Sequence, residues 1–218
     1  MDRLKKTYPC VLLILSGFIA GILIASAIYS ATGFSIFGRV FETPSASVNS
    51  NNAELTALAY GVLEYIRDGD YQALSRVAHP DFGVVFSPYA TVTLSTNRRF
   101  SPLQIAGFED DKTVYVWGVQ DGSGEPIELT PVDYFAEYVY TRDFYGASVI
   151  GVNRIVKTGN ALENITEEFP GVRFVDFHIP GGEKDAPDEL AWGSLRLGFE
   201  EHEGALWLTV IINSRWTT

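Results

Sequence analysis

The chain predicts an α+β fold, in which N-terminal helices pack on an antiparallel sheet, preceded by one apolar helix. Three observations carry this. Residues Val11–Tyr29 (VLLILSGFIAGILIASAIY) form an almost wholly apolar run. Segments with helical periodicity follow, one over 52–67 and a short one between Asp70 and His79-Pro80. Alternating, β-branched segments dominate the C-terminal third, and helices followed by strands read as α+β.

About twenty apolar residues span the hydrocarbon of a bilayer. Lys5 and Lys6 precede the run, so the positive-inside rule puts the N-terminus in the cytoplasm and the rest of the chain outside. The expected organisation is a basic stub over 1–8, a transmembrane anchor over 9–31, a tether over 32–51 and an exported domain over 52–218. A cleaved signal peptide is the alternative, because Ala25-Ser26-Ala27 resembles a cleavage site; the mature domain would then be secreted. Cys10, the single cysteine, excludes an intramolecular disulfide and thiolate metal clusters.

Within the domain, Asn52 caps a helix whose Leu55, Leu58, Ala59, Val62, Leu63 and Ile66 form one stripe. Asp70 caps a shorter helix, which His79-Pro80 ends. Strands are expected at 83–86 and 90–94, and Ser101-Pro102 opens a helical turn. Residues 113–119 (TVYVWGV) read as a strand. Thr130-Pro131-Val132-Asp133 starts a helix that carries Tyr134, Phe135, Tyr138 and Val139. Strands at 172–179, 195–201 and 206–213 close the chain, the last two joined by the turn His202-Glu203-Gly204.

The segments "RDGDYQALSRVAHPDFGVVFSPYA" and "LWLTVIINSRW" resemble the cone-shaped nuclear transport factor 2-like superfamily. With "YVWGVQDGSGEPI", "GVNRIV" and "SLRLGFEE", the likeness extends to a group of uncharacterised exported or lipid-anchored prokaryotic proteins. It spans roughly 52–216 and implies a curved sheet behind helices. It implies no activity, because that fold hosts enzymes, binding modules and scaffolds.

From Val40 onward the chain has 12 Lys/Arg against 26 Asp/Glu, a balance of −14, which disfavours nucleic acid as a partner. Three scattered histidines lack zinc spacing, and no phosphate loop or cofactor fingerprint is present. Asp121-Gly122-Ser123-Gly124-Glu125 reads as a turn, since it lacks the later glycine and glutamate of a calcium loop.

Strand alternation sorts the remaining candidates. Val175, Phe177, Leu195, Leu197, Phe199, Leu208, Val210 and Ile212 are expected on an aliphatic sheet face. The opposite face would present Asp176, His178, Arg196 and Trp207 to solvent or to a partner. Asp176 and His178 are the one candidate acid–base pair, with Arg196 as an anion binder. Trp117 and Tyr89 could line a pocket, and His79 lies at a helix end. The reading is a membrane-tethered binding module for an unidentified small ligand or surface protein. The alternative is a small pocket enzyme of isomerase or hydrolase type using Asp176 and His178.

Overall fold

The structure is a computed structural model that describes residues 46–182 and 190–217. The expected anchor over 9–31 lies outside those residues. Among the described residues no helix is long and apolar enough to cross a membrane.

Helix α1 (Ala46–Asp68) begins six residues before the expected cap at Asn52. The extra turn is tied to the sheet: Arg173 donates from Nη2 to the Asn51 carbonyl at 2.5 Å. Leu55, Ala59, Val62, Leu63 and Ile66 are buried, as the helical stripe requires. Asp70 caps α2 (Tyr71–Val77) by accepting from the Ala73 amide at 2.8 Å. The helix ends before Pro80, with Ala78 already extended at ψ 144°.

Strand β1 (Val84–Ser87) follows, then β2 (Arg98–Phe100). The expected strand at 90–94 does not form. Val92 instead gives its amide and carbonyl to the side-chain amide of Asn164, both at 2.8 Å, so a side chain replaces a strand partner. Helix α3 (Pro102–Ala106) starts at a capping box between Ser101 and Gln104. Strands β3 (Tyr115–Val119) and β4 (Pro126–Leu129) form a separate hairpin. Its turn is the Asp121–Glu125 segment, with Gly122 and Gly124 at φ +82° and +72°. Helix α4 (Pro131–Tyr134), capped by Thr130, continues as a π-helical turn over Phe135–Val139. A short 3₁₀ turn (Phe144–Gly146) leads to β5 (Val149–Val152), and α5 (Ile165–Glu168) precedes β6 (Arg173–Ile179). The hairpin of β7 (Gly193–His202) and β8 (Ala205–Arg215) ends the fold.

The main sheet has six strands in the order β2-β1-β8-β7-β6-β5. It is mixed rather than purely antiparallel, because β1 runs parallel to β8. The intervening chain supplies the long crossover that a parallel pair needs.

The sheet is covered on both faces. On one, Val175, Phe177, Leu195, Leu197, Phe199, Leu208 and Ile211 pack with α1, α2 and a dense aromatic group. Trp117 stacks on Tyr134 at 3.8 Å and 7°, and meets Phe86 edge-on at 5.6 Å. On the other, Val85, Val210 and Ile212 pack with Ile165, Phe169 and Phe174.

The placement of Val210 and Ile212 corrects the alternation reading. Gly198 pairs with Val210 but Phe199 pairs with Leu208, so Thr209 is an extra residue in β8. One inserted residue turns every later side chain to the opposite face. Ile211 therefore joins the aliphatic face in place of Val210 and Ile212. Gly198 makes this possible, since a Cβ there would lie 2.5 Å from Val210 Cγ1.

Candidate functional site

The expected solvent face of β6 and β7 is sealed. Asp176 and Arg196 are 0% exposed, and His178 and Ser194 are buried beside them. Register explains the meeting, because Asp176 lies opposite Arg196 and His178 opposite Ser194. The cover is the loop over 153–164, a polar segment with no periodic apolar pattern.

This loop is clasped by charge. Arg196 Nη1 lies 2.6 Å from Glu163 Oε2, and Nη2 lies 3.4 Å from Asp176 Oδ2. Asp176 Oδ2 also accepts from the Val156 amide at 2.8 Å, and Glu163 Oε1 accepts from Ser214 Oγ at 3.3 Å. The Arg196 guanidinium lies 5.8 Å from the Phe174 ring centroid. Both carboxylates thus hold the loop over the sheet through one cation. Trp192 caps the same surface, close enough that a Cβ on Gly159 would lie 3.1 Å from Cζ2 of its ring. Among the described residues Asp176 Oδ1 and Arg196 Nε find no hydrogen-bond partner, which makes the cluster sensitive to the loss of any member.

His178 shares a 2.9 Å hydrogen bond between Nδ1 and Ser194 Oγ, and its ring lies 5.8 Å from that of Trp192. Burial holds its pKa below the ordinary value of 6.5; the Asp176 charge opposes this, while Lys157 and Arg142 add to it. A depressed histidine pKa means that the unfolded chain binds the proton better. Its contribution to stability is complete above about pH 6.5 and is lost as pH falls toward the folded-state value. Denaturant melts across this range are expected to show the native chain losing stability on acidification. His178→Gln is expected to lose less than the native chain over the same window. An equal acid response in the variant would remove His178 as the source.

The other candidates scatter. Trp207 shares the face of Arg196 but pairs with Glu200, four residues along β7, roughly 13 Å away at ~3.3 Å per residue. Its indole donates to the His202 carbonyl at 3.2 Å. Trp117 is wholly core, and its Nε1 donates to the Leu129 carbonyl at 2.9 Å. His79 accepts from the Phe82 amide at 3.1 Å, and its ring centroid lies 4.8 Å from that of His202. Asn164, in a glycosylation sequon, is buried and occupied by Val92.

Tyr89 borders an open cleft with a volume of about 330 Å³. Three loops converge there: the segment after β1, the end of β3 and the segment around Asn160. They are cross-linked. The Asp121 amide donates to Tyr89 Oη at 3.3 Å, and Thr91 Oγ1 donates to the Leu162 carbonyl at 2.8 Å. Asn160 Nδ2 donates to the Thr217 carbonyl at 2.7 Å, and the Thr217 hydroxyl donates to Asp121. Asn97, Gln120 and Asn160 of this cleft escaped sequence reasoning, because loop polarity alone does not mark a site. The proline and glycines of "SPYA" and "QDGSGEP" were the available signal. No group of acidic, histidine or cysteine side chains suited to a metal ion occurs among the described residues.

No family model, curated protein or solved structure matches this chain.

Proposed function

We propose that the chain is a membrane-tethered binding or interaction module held outside the cytoplasm, with its domain a cone of the nuclear transport factor 2-like type. One observation carries the binding role. The nominated charges Asp176 and Arg196 are consumed in a buried clasp with Glu163, while mostly uncharged polar groups from three loops converge on an open cleft. General acid–base chemistry needs a titratable group within reach of a substrate. Asp176 and His178 are covered, and the cleft offers hydroxyls and amides, with its one carboxylate, Asp121, engaged by the Gly122 amide and the Thr217 hydroxyl. Such a lining holds a ligand without transforming it.

The location rests on Lys5 and Lys6 ahead of the Val11–Tyr29 run. The cone type is supported by helix α1 lying against one face of a six-stranded sheet whose longest strands form the last hairpin. The experiment is protease treatment of intact cells, together with a reporter fused after Thr218. The domain is expected to be cleaved from outside and the reporter to behave as exported. A reporter active only in the cytoplasm, with the domain protected, would refute the reading.

A further inference from the structure

We propose that the cleft beside Tyr89 binds a neutral polyhydroxylated ligand, a saccharide of one or two rings. The inference deepens the binding-module reading and rests on it.

The cleft's chemistry excludes the other ligand classes in turn. Among the described residues that line it there is no Lys, Arg or His, so an anion finds no counter-charge in a domain that is already strongly acidic. Asp121 is the one carboxylate. Its oxygens already accept from the Gly122 amide at 3.1 Å and from the Thr217 hydroxyl, so a cation would find a single, engaged acid. An apolar ligand would strip water from threonine hydroxyls and side-chain amides without replacing their hydrogen bonds, at a cost of ~1–3 kcal/mol per group. A ligand that donates and accepts along its whole rim is left.

The groups present suit such a rim. A side-chain amide offers a donor and an acceptor side by side, the pattern of two adjacent hydroxyls. Asn97 has its Oδ1 anchored by the Thr93 amide at 2.6 Å. Gln120 stands exposed on another wall, and Asn160, also exposed, is positioned by Thr217, which leaves it one amide hydrogen to donate. Pro88 and Tyr89 supply a small apolar surface for the carbon-bound hydrogens of a sugar ring. Gly118 keeps the wall low, since a Cβ there would sit 3.1 Å from Pro88 Cγ. The volume of about 330 Å³ lies at the small end of ligand sites. The cross-linked loops reduce the ordering that binding would demand.

The test is saturation-transfer NMR and calorimetry on the full chain in lipid nanodiscs, with cellobiose, maltose, chitobiose and glucose 6-phosphate as probes. At least one neutral disaccharide is expected to bind with a Kd of about 1 mM or tighter. Glucose 6-phosphate is expected to bind at least ~10-fold more weakly than that disaccharide. Thr96→Trp, which puts a bulky ring in an exposed part of the mouth, is expected to abolish binding. Gln120→Ala, also exposed, is expected to weaken it by about 3- to 10-fold. Unchanged circular dichroism and melting temperature in both variants would show that the fold is kept. Silence from all neutral probes, or binding that both folded variants retain, would overturn the proposal. If the domain is nevertheless exported, only the ligand class falls. If it is cytoplasmic, the module reading falls as well.

Discussion

Arg196→Ala is expected to destabilise the domain by about 3–5 kcal/mol, because it leaves the Asp176 and Glu163 carboxylates buried without their shared cation. For a domain of this size the melting temperature should drop by roughly 10 °C or more. Urea melts with free-energy extrapolation measure it. An exposed arginine would cost within ~0.5 kcal/mol, which is what alternation alone leads one to expect of this face. The Coulomb attraction of a buried pair does not by itself stabilise, since desolvating the three groups costs a comparable amount. The large effect arises from the asymmetry of removing one member. It follows that the clasp specifies where the loop over 153–164 lies more than it adds net stability.

The second large effect lies in the aromatic core. Trp117→Ala is expected to cost ~3–5 kcal/mol, through lost transfer energy and the cavity left behind. The ring is fully buried, stacks on Tyr134 at 3.8 Å and contacts Phe86 and Phe100 at 5.6 and 5.1 Å. Its indole N–H also satisfies the Leu129 carbonyl, which braces β3 against β4 within the hairpin, while the ring itself packs the hairpin on the main core. Trp117→Phe is expected to cost less, since it keeps most of the packing but forfeits that hydrogen bond. Equal melting of the native chain and the alanine variant would mean that the hairpin does not dock.

The sequence was most legible where one residue type has one physical reason to be there. The α1 stripe, the Asp70, Ser101 and Thr130 caps and the stop before Pro80 each follow from local geometry, and each is present. The hairpin turn at Glu203-Gly204 is equally local, with both residues at positive φ. What escaped depends on distant partners. The run at 90–94 alternates like a strand, yet Asn164, more than seventy residues later, takes its hydrogen bonds. Strands β4 and β5 have only four residues each, too short for a period to show. The extra Thr209 turns the later side chains of β8 over, and nothing local announces an insertion within an unbroken β-branched run.

The site was legible by residue type and illegible by environment. Asp176, His178 and Arg196 do share one face, but the Asp176 and Arg196 charges are spent on each other and on Glu163, and His178 is bonded to Ser194. A polar loop covers a polar face there, so no apolar pattern marks the cover. The cleft shows the reverse. Its side chains are ordinary loop residues, and only the convergence of three segments brings them to one cleft.

The ionic face of β6 and β7 is a structural clasp. A double-mutant cycle on Arg196 and Glu163, using Arg196→Met, Glu163→Gln and the pair, measures it. Across a buried pair 2.6 Å apart, the single changes are expected to be non-additive by at least ~1.5 kcal/mol, with the double variant more stable than the sum of the two losses implies. Strict additivity within about 0.5 kcal/mol, with each single change nearly neutral, would mean that the loop is not clasped and that Asp176, His178 and Arg196 face solvent as an open site.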